Sequence, residues 1–370
     1  MLIAILVTSG VLLAYANGAN DNFKGVATLF GSGTADYRRS LAWATVTTLL
    51  GSLAAVMLAG QLLKNFSGKG LVDDSLVANP DFMAAVAVGA GSTVLLATRI
   101  GMPISTTHSL VGALVGTGIA AGSSIDLSQL GGTFFLPLLA SPLLALCATG
   151  SLYPVFRTLR RKLGITTDTC LCVGNQVVET CPATNMTVSL QRANELTVTM
   201  GDVVTCEYRY GGQVLGLEAA SVLDRSHFLS AGAVSFARGL NDTPKIAALM
   251  LVAPQLGGIF GTALVAGAMA CGGNFNSRRV AETMSRRITP MNHGQGFTAN
   301  LMTSLIVIGA SRFGMPVSTT HVSCGALFGI GAVTGEAHWR TIGKILLAWI
   351  TTLPLGATLG AVSLWAISSS

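Results

Sequence analysis

Two Asn-Asp pairs carry the first chemistry legible in this chain. Asn20-Asp21 follows Gly18 in one apolar stretch, and Asn241-Asp242 follows Gly239 in another. An unpaired carboxylate in hydrocarbon costs at least about 2.5 kcal/mol on insertion scales, so such residues are kept there for a purpose. Their oxygens, with that of Asn17, are hard donors that suit sodium, or a proton if the carboxylate titrates. Glycine and asparagine also weaken a helix locally and free carbonyls for a cation, and Pro244 removes one helical donor outright. The cation-binding candidates are therefore Asn17, Asn20, Asp21, Asn241 and Asp242, with Asp21 and Asp242 the expected sodium ligands. A competing reading pairs each carboxylate with Lys24, Lys245 or Arg238 for packing alone.

A second chemistry lies in Met102-Pro103-Ile104-Ser105-Thr106-Thr107-His108, which recurs as Met315-Pro316-Val317-Ser318-Thr319-Thr320-His321. Each proline is well placed near a helix start, and serine and threonine are favoured N-caps. A helix N-terminus, with free amides and a positive dipole end, binds anions. Two such ends converging at mid-membrane from opposite sides would hold a tetrahedral oxyanion with hydroxyls and amides, with no lysine or arginine needed in the pocket. Ser105, Thr106, Thr107, Ser318, Thr319 and Thr320 are the oxyanion-binding candidates. His108 and His321 could carry a proton, but serve equally as helix-packing partners. Arg99 and Arg312 are expected to snorkel or to pair with a carboxylate at a hairpin end. The glycines of Gly112-x-x-x-Gly116 and Gly325-x-x-x-Gly329 need only allow close helix approach.

Both motifs occur twice in the same order, and the flanks of the second agree at the same constant offset that separates Met102 from Met315. One ancestral unit has been copied and joined. Only 10% of the 370 residues are charged while 51% are hydrophobic, and mean hydropathy is +0.62, which marks a polytopic membrane protein rather than a soluble domain. Residues 41–63, 82–98, 130–153, 253–270, 296–310 and 342–367 read as spanning helices, and 2–31, 100–121, 228–252 and 314–333 as interrupted ones. The opening stretch to Ala16 lacks a basic leader and runs straight into Asn17, so it reads as half of a broken transmembrane helix rather than a signal peptide.

The net charge of +6 sits in short loops, where it sets orientation rather than recruiting nucleic acid. Arg38 and Arg39 follow the first span of one half, whereas the matching loop around Pro254 and Gln255 is uncharged; the next pair of loops shows the reverse bias. The two repeats should therefore lie upside down relative to each other, with the N-terminus outside and Arg157, Arg160, Arg161 and Lys162 in the cytoplasm. Residues 163–225 are polar and alternate like strands at Thr187–Leu190 and Leu196–Thr199, so a small, mostly β cytoplasmic insert joins the halves. Its Cys170, Cys172, Cys181 and Cys206 should be reduced there. Their spacing favours buried thiols over a zinc site.

At these residues the chain resembles the PiT family of inorganic phosphate transporters, whose hallmark is a Gly-x-Asn-Asp segment and a Gly-x-Pro-x-Ser-x-Thr-His-like segment in each half. Here they read Gly18-Ala19-Asn20-Asp21, Gly239-Leu240-Asn241-Asp242, Gly101 to His108 and Gly314 to His321, and the likeness extends through Arg278-Arg279-Val280-Ala281 and Gln295 to Asn300. The resemblance implies an all-α polytopic protein of the cell (inner) membrane: two inverted-topology repeats with broken helices and re-entrant hairpins, residues 1–156 and 227–370; the soluble insert at 157–226 is not part of that signature. It implies symport of phosphate with co-transported sodium ions or protons, no other cofactor, and a homodimer in the lipid bilayer. It also implies that Asp21 and Asp242 help bind the cation and that the Ser-Thr-Thr turns hold phosphate. A proton-coupled sulfate carrier of the same family is the alternative. A passive anion channel would not need the Asn-Asp pairs, and an enzyme would need a nucleophile with base and orienter in register, which is missing.

Overall fold

The computed structural model describes residues 2–180, 189–210, 215–253 and 258–369. Helix α1 (Leu2–Asp21) leads through a 3-10 turn at Lys24–Val26 into α2 (Ala27–Ser32). Next comes α3 (Tyr37–Leu58), capped by the Asp36 side chain on the Arg39 amide, and then the short α4 (Gly60–Asn65) and α5 (Asp74–Val77). Pro80 opens α6 (Pro80–Arg99), which folds back into α7 (Thr106–Ala120). The short α8 (Leu127–Gln129) runs through a π-helical stretch into α9 (Leu136–Lys162). Helix α10 (Val203–Tyr210) lies among the strands of the insert, before α11 (Ala219–Ala247) and α12 (Gly258–Asn276). The chain ends with α13 (Arg278–Glu282), α14 (His293–Arg312) with its Asn292–Gln295 capping box, α15 (Thr319–Thr334) and α16 (Trp339–Ser368).

Among the described residues, six helical stretches are long and apolar enough to cross a membrane: 3–32, 37–58, 80–99, 127–162, 258–276 and 339–368. Their outward side chains are oily, as with Leu139 and Leu143 on α9 or Ile350 and Val362 on α16. Two expected spans differ. Residues 296–310 lie in α14, which is not among these six and buries Thr298, Asn300, Thr303 and Ser304. The 41–63 span breaks at Ala59, between α3 and α4. Residues 254–257, which hold the expected uncharged loop, lie outside the described residues.

The expected interruptions are present, but in 2–31 and 228–252 they fall later than expected, at the 3-10 turns Lys24–Val26 and Ala248–Val252. Helix α1 runs unbroken to Asp21, with the Asn22 amide bonded to the Gly18 carbonyl at 3.0 Å, and α11 continues through Asn241, Asp242 and even Pro244. Gly18 and Gly239 do not loosen these helices; they bring them close to others. A Cβ on Gly18 would strike the Met269 carbonyl of α12, and one on Gly239 the Thr48 carbonyl of α3. The breaks expected in 100–121 and 314–333 are the turns α6–α7 and α14–α15, where Gly101 and Gly314 take φ of 72° and 70°. At about 1.5 Å per residue, α7 and α15 are each too short to cross about 30 Å of hydrocarbon, so each pair of helices forms a hairpin.

The close approaches come in matched pairs. Gly51 meets the Phe236 carbonyl and Gly272 meets that of Tyr15. One sequence offset relates Gly51 to Gly272, Tyr15 to Phe236 and Gly18 to Gly239, so these are equivalent positions of the two halves. Gly112 and Gly116 of α7 lie on Leu353 and Ala357 of α16, while Gly325 and Gly329 of α15 lie on Pro142 and Leu146 of α9. Each half thus packs its key helices on those of the other.

Contacts divide the chain into two units, Met1–Tyr153 with His227–Ser370, and Pro154–Ser226. The smaller unit holds an antiparallel sheet of β1 (Thr169–Thr180), β2 (Ser189–Asp202) and β3 (Leu215–Glu218) in the order β2-β1-β3. Thr187 and Val188, expected to begin a strand, and Cys181 lie outside the described residues. Cys172 and Cys206 form a disulfide beside the buried thiol of Cys170. These two are therefore not the reduced cysteines expected, and a disulfide belongs to an oxidising compartment, contrary to the side that the basic cluster indicates.

Two outcomes test this architecture. Gly272→Ala should lower stability by about 1–3 kcal/mol, because backbone rather than a movable side chain meets the new methyl, while Gly267→Ala, with open space around it, should not; thermal melting of both in detergent checks this. Alkylation of the denatured, unreduced protein should modify Cys147 and Cys271 but leave Cys172 and Cys206 untouched in peptide maps.

Candidate functional site

The two short hairpin arms meet at their N-termini. Ser105 caps α7 by accepting from the His108 amide at 3.1 Å, and Ser318 caps α15 on the His321 amide at 3.2 Å. Thr107 donates across to the Val317 carbonyl at 3.4 Å, and Thr320 to the Ile104 carbonyl at 2.8 Å. The imidazoles of His108 and His321 lie 4.4 Å apart, the second stacked 3.7 Å from Trp349, whose indole N–H donates to the Pro103 carbonyl. The histidines pack the arms together. Of the six hydroxyls expected to face an anion, those of Ser105 and Ser318 serve as caps, and the four threonines line the meeting point.

The Asn-Asp pairs come down on the same place from α1 and α11. Asn17 is the hub: its amide nitrogen lies 3.1 Å from Asp21 Oδ2, 3.0 Å from Thr106 Oγ1 and 3.2 Å from Asp242 Oδ2. Thr106 donates to Asp21 at 3.2 Å and Thr319 to Asp242 at 3.4 Å. Asn20 donates to Thr98 Oγ1 and the Met102 carbonyl, while Asn241 donates to the Val317 carbonyl and accepts from Ser311. All five cation candidates and the four threonines therefore belong to one buried cluster, with Ser105 and Ser318 buried beside it as helix caps. It contains three residues more.

Lys24, Lys245 and Arg238 sit in the centre, exposed by no more than 3%, 1% and 1%. The Lys24 ammonium reaches Asp21 Oδ1 at 2.5 Å, Thr320 Oγ1 at 2.6 Å, and Asn20 Oδ1 and the Ile104 carbonyl at 2.8 Å each. Lys245 mirrors it, reaching the Val317 carbonyl at 2.7 Å, Thr107 Oγ1 at 2.8 Å and Asp242 Oδ1 at 3.5 Å. Arg238 donates to Asn17 Oδ1 at 2.7 Å, Asn22 Oδ1 at 2.9 Å and Thr48 Oγ1 at 3.3 Å, with its Nε 3.8 Å from Asp242. The ion pairs of the competing reading are thus present, and the pocket, expected to need no lysine or arginine, holds both. The signal was present: Lys24 and Lys245 close both copies of the Gly-x-Asn-Asp segment, and a cation duplicated inside apolar sequence merits the same reading as a duplicated carboxylate.

Three cations against two carboxylates leave the cluster with one surplus positive charge when all five are ionised. Desolvating an ion costs several kcal/mol unless partners compensate it, and the surplus has no carboxylate among the bonded neighbours described above. The arrangement therefore favours an anion, with threonine hydroxyls, ammonium protons and two positive helix ends converging on it. Arg99 and Arg312 take no part; both are exposed at hairpin turns and, among the described residues, neither makes an ion pair.

The model of the phosphate transporter family matches residues 17–360. A Pyrococcus furiosus protein named "Putative phosphate permease" is 27% identical, covering 98% of this chain and 95% of its own. A Mycobacterium tuberculosis protein named "Probable low-affinity inorganic phosphate transporter" is 25% identical over 97% of this chain and 76% of its own. A solved structure titled "The sodium-dependent phosphate transporter" superposes with a TM-score of 0.77 at 20% identity, covering 100% of this chain and 99% of that one.

The buried Lys24–Asp21 pair gives a measurable expectation. Lys24→Met should destabilise by about 3–5 kcal/mol, since it strands a buried carboxylate. Adding Asp21→Asn should restore part of that loss. Equal melting of wild type and Lys24→Met would show that the pair contributes nothing to stability.

Proposed function

We propose that this chain, which belongs to the phosphate transporter family, carries inorganic phosphate across the membrane by secondary active transport driven by a cation gradient. The observation that carries the proposal is the meeting of two helix N-termini, at Thr106 and Thr319, inside a buried cluster with surplus positive charge. Phosphate oxygens accept from the hydroxyls of Thr106, Thr107, Thr319 and Thr320 and from the lysine ammoniums. The threonine donors now serve carbonyls and carboxylates of the cluster. Exchanging a neutral hydrogen bond worth about 0.5–1.5 kcal/mol for one to a charged group worth about 1.5–3 favours the ligand at each carbonyl-bound donor.

The two repeats run in opposite directions through the bilayer, and rocking one against the other opens the shared site to each side in turn. The matched glycine contacts support this reading, because they join the same helices of each half in reciprocal fashion. Asp21 and Asp242, held with Asn17, Asn20 and Asn241, link anion binding to the coupled ion, sodium or a proton.

Uptake of radiolabelled phosphate into proteoliposomes tests the proposal, with sulfate as competitor. Uptake driven by an imposed sodium or proton gradient and not inhibited by sulfate is the expected result; equal uptake with and without gradients would instead make the protein a passive channel. Thr106→Val and Thr319→Val should each weaken phosphate binding by about 1.5–3 kcal/mol, measured as the displacement constant. Asp21→Asn and Asp242→Asn should each abolish gradient-driven uptake while the protein remains monodisperse.

A further inference from the structure

The oxygens that the sequence assigns to a travelling cation already surround a tethered one. Around Lys24 Nζ stand the two side-chain oxygens of the first Asn-Asp pair, a carbonyl of its own repeat's hairpin turn and a hydroxyl of the opposite repeat. Around Lys245 Nζ stand the equivalent carboxylate, turn carbonyl and cross-repeat hydroxyl. Ile104 and Val317 are equivalent positions of the duplicated heptapeptide, as are Thr107 and Thr320, so the two cages are built from matching residues. Each ammonium lies within 2.8 Å of both its turn carbonyl and its cross-repeat hydroxyl.

We infer that Lys24 and Lys245 are the resident cations of this site, standing where co-transported sodium would bind, so that phosphate is bound and carried without sodium. The inference rests on the phosphate reading above and names the ion dependence of that same site. A sodium ion cannot share a cage with the ammonium already at its centre. Two like charges at the spacing of one shared cage repel strongly in a desolvated interior. Sodium would also raise a cluster that already holds three cations and two carboxylates from one surplus positive charge to two. A phosphate monoanion brings that surplus to zero by itself. The coupling gradient then falls to protons.

The test uses the purified full chain. Phosphate uptake into proteoliposomes is measured at a fixed proton gradient with sodium or with choline on both sides, and equilibrium binding of radioactive sodium is measured separately in detergent. Uptake within twofold in sodium and in choline, with no saturable sodium binding, is the expected result. A tenfold or greater fall in choline, or saturable binding of one or more sodium ions per chain, would overturn the inference. If phosphate is not taken up under any condition, the transport reading fails, and the sodium-binding measurement still decides the role of the lysines. The Lys24→Asn/Lys245→Asn double variant, which keeps the cage oxygens and removes both ammoniums, should gain saturable sodium binding; a folded double variant that binds none would count against cages of this kind.

Discussion

Three cations and two carboxylates sealed from water at the crossing of two helix tips constrain the rest of this molecule. Such charges persist in a desolvated interior only when every partner is held in place. Asn17 reaches both carboxylates at once, Asn20 and Asn241 anchor the carbonyls and hydroxyls of the turns, and the threonines complete the ring. The helices are positioned to bring these groups within about 3 Å of one another, and the lipid-facing surface is oily because the polar residues have been gathered inward.

That convergence requires backbones to come unusually close, and glycine provides it. Gly18, Gly51, Gly239 and Gly272 each face a carbonyl of a helix from the other half. A methyl at any of them would push α1 or α11 away from its neighbour and draw Asp21 or Asp242 out of reach. The glycines and the charges thus belong to one device, which explains why Gly and Asn-Asp travel together in both copies of the motif.

The sequence disclosed the doubling, the membrane class, the interruptions within 100–121 and 314–333, and the residues that would gather at the centre, because all of these leave local or repeated patterns. It placed the breaks after α1 and α11 too early, since glycine reads as a helix breaker unless the opposing carbonyl is known, and Pro244 reads as an interruption although α11 absorbs it. It underrated Lys24, Lys245 and Arg238 because whether a cation beside an aspartate faces a loop, a lipid headgroup or a buried cluster depends on distant chain segments such as Ile104 and Thr320. The Cys172–Cys206 link was illegible for the same reason: its partners are far apart in the chain and meet only when β1 is in its sheet.

The doubling is not perfect, and its flaw lies at the hub. Asn17 and Arg238 occupy the same place in the two halves and bond to each other at 2.7 Å. Had both stayed alike, the two arms would meet there as equals. A guanidinium on one arm and a carboxamide on the other load them unevenly. If the halves rock as proposed, the two tilts therefore differ in energy.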